Sequence, residues 1–308
     1  MKKFKSALFL VIICFISSPG FSQHKQEKLR VFIIGNSFSQ NAATYLPQLA
    51  KEKGFNLELG RAELGGCSLQ RHWEIVEAHE NDPADPMGKQ YGGKSLKTLL
   101  KNGVWDVVTI QQYSLLSGDI NTYKPYASKL YEYVKAIQPN AKIVVHQTWA
   151  YRSDAKNFGK IDGEKRAETD KEMWQKSRAA YHTIAKELNA KVIPTGDAFW
   201  NVVSDRKWAF KKDPTITSSS FIYPKVQNEA LSLHVGSKWD KDKKLVVDYN
   251  HASEAGCYLG SLVWFGFLFD ESPKKINFKP QEVSEKFAKK LKTAAKNSLS
   301  DEVYFIKN

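Results

Sequence analysis

The fold is decided by residues 31–39, VFIIGNSFS, in which four apolar residues run directly into Gly-Asn-Ser. A short apolar run that ends at glycine is typical of a buried strand. In parallel α/β sheets, ligands collect outside the carboxyl ends of the strands. The segment therefore predicts a first strand that delivers Asn36 and Ser37 to the functional edge of a sheet.

The rest of the chain alternates between apolar runs and segments of helical periodicity. The predicted strands cover residues 29–34, 56–63, 105–110, 142–146 and 191–194. The predicted helices cover residues 42–53, 123–137, 171–188 and 252–269. Strands that alternate with helices pair in parallel through right-handed crossovers. The expected fold class is therefore α/β, a three-layer α/β/α sandwich around a five-stranded parallel sheet.

Residues 1–22 read as a secretory signal peptide, with Lys2, Lys3 and Lys5 before a short apolar core. Cleavage before Gln23 would export the protein to the periplasm or the extracellular space. Lipid anchoring through Cys14 is disfavoured because the residue before it is a bulky isoleucine. Residues 23–308 are expected to form one domain without an integral membrane span.

Two polar segments interrupt the strand–helix rhythm. Residues 79–94 are rich in proline and glycine and predict a loop. Residues 204–244 mix aromatic side chains with prolines and serines, and long insertions in compact domains are often functional. This insertion could form a wall of the site, or a surface excursion with its own small core.

The formal net charge of +13 comes from lysines spread over many segments. Solvated lysine faces explain this pattern better than a nucleic-acid partner, because no basic stripe with interleaved aromatic residues is visible. Cys67 and Cys257 could pair in an oxidising compartment, but two small buried hydrophobic residues are the favoured interpretation. The sequence leaves the oligomeric state open.

A second decisive segment is Asp248-Tyr249-Asn250-His251, just before the long apolar helix. Asp248 and His251 can face one another in a turn, so that the carboxylate orients the imidazole towards Ser37. Ser, His and Asp in this combination can carry out acyl transfer. Alone, each motif has a simpler explanation, since Ser37 or Ser39 could cap a helix and Asp248 could do the same.

The pair of motifs resembles the SGNH/GDSL hydrolase superfamily, and most closely an uncharacterised secreted bacterial branch of it. The resemblance implies a flavodoxin-like sheet (the SGNH hydrolase fold) and hydrolysis of esters by a catalytic triad of Ser37, His251 and Asp248. It also implies an oxyanion hole formed by the Ser37 N–H, a glycine after the second strand and an amide side chain after the third.

The oxyanion hole is where the sequence departs from that family. Leu64-Gly65-Gly66 follows the second strand, so Gly66 or Gly65 can supply a backbone N–H. Gln111-Gln112 stands where the family has asparagine, and Gln111 is the first choice as donor because it follows the strand directly. Gln112 is the second choice, and a structural role in capping the sheet end stays open for both.

Further polar and aromatic residues are predicted to line the rim of the site and contact substrate. They are Asn36, His72, Gln112, His146 and Trp149. The seven histidines show no metal-ligand spacing, and no glycine-rich phosphate loop is present, so neither a metal nor a cofactor is expected.

The sequence thus predicts an exported esterase that removes acyl groups, acetyl groups in particular, from a small molecule or a polysaccharide. A lipase, thioesterase or acyltransferase could use the same residues. An inactive glycan-binding module is the alternative outside the enzymes.

Overall fold

The computed structural model describes residues 28–212, 222–223 and 231–300, without the side chain of Ser300. The predicted signal peptide at residues 1–22 lies outside these residues, as do Cys14 and residues 213–221 and 224–230 of the predicted insertion at 204–244.

Strands and helices alternate along most of the described chain. The strands are β1 (Leu29–Gly35), β2 (Leu57–Glu63), β3 (Val107–Ile110), β4 (Lys142–His146), β5 (Lys160–Asp162), β6 (Lys165–Arg166), β7 (Lys191–Ile193), β8 (His234–Trp239) and β9 (Leu245–Ala252). The helices are α1 (Ser37–Ala42), α2 (Leu46–Glu52), α3 (Leu69–Asn81), α4 (Leu96–Lys101), α5 (Tyr126–Ile137), α6 (Asp170–Glu187), α7 (Thr195–Val203), α8 (Glu254–Phe269) and α9 (Glu285–Ser300).

Five strands form one parallel sheet in the order β2-β1-β3-β4-β7. Counted among themselves these strands run 2-1-3-4-5, which is the flavodoxin-like order. The predicted α/β class and five-stranded parallel sheet are confirmed, and each predicted strand matches its observed bounds to within two residues. The strand order reverses between β1 and β3, and residues that follow these two strands therefore flank the crevice where such folds bind ligands.

Helices cover both faces of the sheet, because strand β1 is apolar on both sides. Val31 and Ile33 pack into one core with α1, α2, α7, α8 and α9, whereas Phe32 and Ile34 pack into a second core with α3, α4, α5 and α6. Successive strand residues point to opposite faces, so a continuous apolar run supplies both cores. This arrangement is the predicted three-layer sandwich.

Helix α8 is buried along nearly its whole length, from Ala255 to Leu268. Fully burying each large apolar side chain contributes about 1.5–3 kcal/mol, so the helix is firmly anchored between its neighbours. Its backbone approaches α1 closely at Gly260, where a Cβ atom would lie 2.8 Å from the Cα of Ala42. This close packing fixes the start of α8 relative to the helix that carries Ser37.

The predicted helix at residues 42–53 is wrong in its first part, because α1 ends at Ala42 and α2 begins at Leu46. The hydroxyl of Ser261 in α8 donates to the Ala42 carbonyl over 2.8 Å and accepts from the Tyr45 N–H over 2.9 Å. A distant side chain thus satisfies the backbone groups that the break exposes. The predicted loop at residues 79–94 also differs slightly, since α3 continues to Asn81 and a 3-10 turn forms at Pro86–Lys89.

Two hairpins lie outside the main sheet, β5–β6 and β8–β9. Strand β8 lies within the described part of the predicted insertion, and its partner β9 contains both Asp248 and His251. The sequence instead predicted a turn for these two residues. Among the described residues, no helix combines the length and apolar character that a membrane span requires.

Candidate active site

Ser37 is the first residue of α1, and only Asn36 separates it from the end of the interior strand β1. Asn36 precedes it in an extended conformation, and its side-chain oxygen accepts from the Phe38 N–H over 3.0 Å. This is the capping arrangement that asparagine favours at a helix start. The strand end and the cap together fix the position of the serine hydroxyl.

A bulge in the β8–β9 hairpin brings Asp248 and His251 to the same side. Gly236 pairs with Asp248 and His234 pairs with Ala252, so β9 has two more residues than β8 between these pairs. In a regular strand, residues three apart point to opposite faces. The extra residues of the bulge bend the strand and turn the His251 side chain to the side on which Asp248 lies.

The three side chains form a continuous hydrogen-bonded chain. Nδ1 of His251 lies 3.1 and 3.0 Å from the two carboxylate oxygens of Asp248, and Nε2 lies 2.9 Å from the Ser37 hydroxyl. Because a carboxylate only accepts, Nδ1 carries the proton of the neutral ring and Nε2 accepts from Ser37. The Asp248 carboxylate also accepts from the His251 backbone N–H over 3.0 Å.

The Asp248 carboxylate is only 7% exposed and is ionised. Burial on its own would raise the pKa of Asp248. Hydrogen bonds from the His251 side chain, from Lys238 and from the His251 N–H outweigh this effect and hold that pKa well below its ordinary value. The site therefore keeps a negative charge beside the imidazole.

The bulge is held by three contacts from other parts of the fold. Trp149 Nε1 donates to the Asn250 carbonyl over 2.9 Å, and the Arg152 N–H donates to the Tyr249 carbonyl over 2.9 Å. From α1, the side-chain oxygen of Asn41 accepts from the Ala252 N–H over 3.1 Å. The segment after β4 and helix α1 therefore both fix the backbone around His251.

Two backbone N–H groups at the site, those of Ser37 and Gly66, could donate to a bound group. Within the part of the chain that the structure describes, the N–H groups of Ser37 and Gly66 donate to no acceptor. Gly66 is exposed, and its positive φ of 62° is a conformation that favours glycine. Unpaired donors of this kind can stabilise negative charge that develops on a bound group.

Gln111 occupies a position different from the one predicted. Its side chain is 1% exposed, Nε2 donates to the Asn36 side-chain oxygen over 2.7 Å, and Oε1 accepts from His146 Nδ1 over 2.7 Å. His146 Nε2 in turn accepts from the Thr195 hydroxyl over 3.1 Å. Gln111 therefore holds the Asn36 side chain in place. Because its amide is buried and bonded to Asn36 and His146, it is not free to donate to an oxyanion.

The other predicted glutamine, Gln112, is also fully buried. Its side-chain oxygen accepts from the Leu69 N–H over 3.0 Å, and its Nε2 donates to the Thr122 carbonyl over 2.8 Å. Asn36 itself is buried and donates from Nδ2 to the Cys67 carbonyl over 2.9 Å. These amides join the loops at the sheet edge, which is the capping role that the sequence left open.

His72, His146 and Trp149 are buried as well, which corrects their predicted place on the rim. His72 donates from Nε2 to the Gly35 carbonyl and accepts at Nδ1 from the Tyr91 hydroxyl. Burial lowers the pKa of His72 to about 4 and that of His146 to about 3, so both rings are neutral. Trp149 stacks between Phe38 and Phe199, with ring centroids 4.3 and 4.4 Å away.

Cys67 and Cys257 are buried free thiols, as the favoured interpretation had them. Burial raises the pKa of the Cys67 thiol to about 12 and that of Cys257 to about 11, so neither is an activated nucleophile. No group of three or more histidine, cysteine or acidic side chains in the described ranges could hold a metal ion.

Sequence reasoning missed two residues at the site, Lys238 and Tyr113. Lys238 Nζ lies 2.5 Å from Asp248 Oδ2, but a lysine ten positions before Asp248 gives no local signal. Tyr113 follows the two glutamines and is partly exposed. Its ring carbons Cε2 and Cζ lie 3.8 Å from where a Cβ atom on Gly66 would be. The only local sequence signal for it is its place just after β3, at the edge of the sheet where ligands bind.

The family model that matches this chain covers residues 30–214 and is described as Domain of unknown function (DUF4886). The chain belongs to the DUF4886 family. A crystal structure of a DUF4886 family protein from Bacteroides uniformis ATCC 8492 is similar, with a TM-score of 0.68 and 23% sequence identity. The match covers 90% of this chain and 97% of that chain, so the two DUF4886 proteins share their fold.

Other solved structures are less similar to this DUF4886 chain. A putative GDSL-like lipase from Parabacteroides merdae ATCC 43184 matches with a TM-score of 0.44 and 14% identity, over 78% of this chain and 94% of that chain. A lipopolysaccharide acetyltransferase periplasmic domain from Salmonella ser. Paratyphi A matches with a TM-score of 0.39 and 14% identity, over 56% of this chain and 69% of that chain. No curated protein matches the sequence.

Proposed function

We propose that this protein is an exported serine esterase that hydrolyses acyl esters, acetyl esters of carbohydrates in particular. The observation that carries the proposal is the hydrogen-bonded chain from Ser37 through His251 to Asp248. A hydroxyl next to an imidazole that a carboxylate orients is the arrangement that activates serine as a nucleophile.

In the proposed reaction, Ser37 attacks the ester carbonyl carbon while His251 Nε2 takes the hydroxyl proton. Asp248 stabilises the imidazolium that forms, and the imidazolium then protonates the leaving alcohol. Water attacks the resulting acyl-serine, with His251 again as the base, and releases the acid. The proton taken from water passes from His251 to the Ser37 oxygen as the acyl bond breaks, so the cycle consumes only the ester and water.

The proposed oxyanion hole consists of the Ser37 N–H, the Gly66 N–H and the hydroxyl of Tyr113. Tyr113 replaces Gln111 in this role because Gln111 is buried and bonded on both sides of its amide. Among the described residues the Tyr113 hydroxyl has no hydrogen-bond partner, and it lies 4.0 Å from where a Cβ atom on Gly66 would be. A phenol can donate to an oxyanion as an amide does.

Partly exposed tyrosines support a carbohydrate as the alcohol side of the ester. Tyr249 follows Asp248 directly, and the Tyr151 hydroxyl lies 3.1 Å from the hydroxyl of Ser114, the residue after Tyr113. Tyrosine combines an apolar ring with a polar hydroxyl, which suits the mixed surface of a sugar.

The test is hydrolysis of p-nitrophenyl acetate by the purified protein, compared with the Ser37→Ala variant. Ser272→Ala is the matched control, because the side chain of Ser272 caps no helix and lies outside the site. We expect the control to retain the wild-type rate and Ser37→Ala to lose at least about a thousandfold in kcat. Equal rates in the wild type and Ser37→Ala would rule out the proposed nucleophile.

Substrate panels separate the esterase from its alternatives. Release of acetate from an acetylated xylan oligosaccharide, without hydrolysis of p-nitrophenyl palmitate, favours a carbohydrate esterase over a lipase. Acetyl transfer to an added sugar that exceeds acetate release would indicate an acyltransferase. Binding of the oligosaccharide without any turnover would indicate a glycan-binding module.

A further inference from the structure

Lys238 shares a carboxylate oxygen of Asp248 with the catalytic candidate His251. Its Nζ lies 2.5 Å from Asp248 Oδ2, and the same oxygen lies 3.0 Å from His251 Nδ1. The lysine side chain is 47% exposed, whereas the carboxylate is nearly buried. The Lys238 ammonium therefore lies at the protein surface and contacts the buried carboxylate of the candidate triad.

The hairpin holds Lys238 in this position. Lys238 pairs with Val246 across the strands, and Asp248 lies two residues further along β9 on the same face. Side chains in this diagonal relation are within reach of a long residue such as lysine. The contact thus follows from the same hairpin register that positions His251.

Other titratable and charged groups around Asp248 contribute little competing charge. Burial raises the pKa of Tyr151 to about 12 and lowers that of His234 to about 4, so both are neutral near pH 7. Arg152 is paired with Asp154 over 2.6 Å, and its charge is largely offset. On α1 the facing group is the neutral Ser37 hydroxyl, and on α8 the Glu254 carboxylate accepts from the Tyr45 hydroxyl.

We propose that Lys238 is a positioning residue that sets the pH range of the site by sharing the Asp248 carboxylate with His251. A second cation on the carboxylate weakens its attraction for an imidazolium. Without the Lys238 ammonium, the whole charge of the Asp248 carboxylate would act on His251. This inference rests on the proposed function, since it concerns the base of that reaction.

The test compares Lys238→Met with Lys238→Arg and Lys241→Met. Arginine keeps the charge, and Lys241 is an exposed lysine in the turn of the same hairpin with no ion pair among the described residues. The measurement is kcat/KM for p-nitrophenyl acetate between pH 4.5 and 9. We expect the midpoint of the acid limb to rise by about half a unit to one unit in Lys238→Met only. An unchanged midpoint in Lys238→Met would overturn the inference.

A second measurement works without enzyme activity. The His251 imidazole is titrated by NMR in the Ser37→Ala background, with its signals identified by their loss in His251→Asn. The midpoint of this titration is expected to rise in Lys238→Met by the same amount. If the midpoint rises in Lys238→Met but the wild-type protein hydrolyses no ester, the electrostatic role of Lys238 is supported and the proposed function fails. An unchanged midpoint would contradict the role of Lys238 whatever the activity.

Discussion

Trp149 donates a hydrogen bond from its indole Nε1 to the main-chain carbonyl of Asn250 over 2.9 Å. The same ring stacks on Phe38, the residue next to Ser37. One buried side chain therefore contacts both the helix that carries the serine and the bulge that carries the histidine. Its position links the two halves of the site, which lie more than two hundred residues apart in sequence.

Trp149→Phe is expected to lower kcat about tenfold. Phenylalanine keeps much of the stacking, but it leaves the Asn250 carbonyl without its donor and lets the bulge shift. The measurements are kcat for p-nitrophenyl acetate and the free energy of unfolding in urea, which should fall by about 1–3 kcal/mol. Trp200→Phe is the control, because Trp200 is a partly exposed tryptophan that stacks on Trp174. An equal loss of kcat in both variants would contradict the role of the indole bond.

Asp248→Asn is expected to reduce kcat by about 10³–10⁴, with a smaller change in KM. The amide cannot stabilise the imidazolium and can hold the ring in the wrong tautomer. Steady-state kinetics with p-nitrophenyl acetate test this, and Asp242→Asn in the exposed hairpin turn serves as the control. Retention of the wild-type kcat in Asp248→Asn would exclude the triad.

Tyr113→Phe tests the proposed oxyanion donor. Loss of one donor typically costs about 10²–10³ in kcat. We expect a loss of this size with KM little changed, because the hydroxyl bonds to the oxyanion and the ring stays in place. Tyr131→Phe on α5 controls for the removal of a tyrosine hydroxyl elsewhere in the protein. Wild-type kcat in Tyr113→Phe would leave only the backbone N–H groups as donors.

Stability is expected to fall as the pH drops below about 6.5. Burial lowers the pKa of His72 to about 4, of His146 to about 3 and of His234 to about 4. Between these values and the ordinary histidine pKa near 6.5, the unfolded chain binds protons that the folded chain excludes. Their contribution to stability is therefore complete above pH 6.5 and is lost progressively below it, by at most about 1.4 kcal/mol per pH unit for each histidine.

Thermal unfolding followed by circular dichroism between pH 7.5 and 4.5 measures this effect. The carboxylate of Asp248 does not contribute in this range, because its pKa is lowered and its protonation matters only at more acidic pH. His146→Gln removes one of the three buried imidazoles and should flatten the dependence of stability on pH. The same slope in this variant and the wild type would show that His146 is not one of the excluded sites.

The sheet was predictable because its signal is local. Apolar runs such as Val31 to Ile34 are buried on both faces, and their alternation with helical segments indicates parallel strands covered by helices. The break between α1 and α2 was not predictable, because the hydroxyl of Ser261 that stabilises it comes from a helix far along the chain. The bulge around His251 likewise depends on pairing with β8, which no pattern in β9 reveals.

The sequence by itself determined the α/β class, the order of the strands along the chain and the candidate set of Ser37, Asp248 and His251. Residue type and apolar periodicity are sufficient for these conclusions. Only the tertiary structure decided which polar residues face the site. Gln111, His146 and Trp149 are buried supports, whereas Tyr113 and Lys238 reach the open side. The burial of such polar side chains depends on packing between segments distant in sequence, which a local pattern does not reveal.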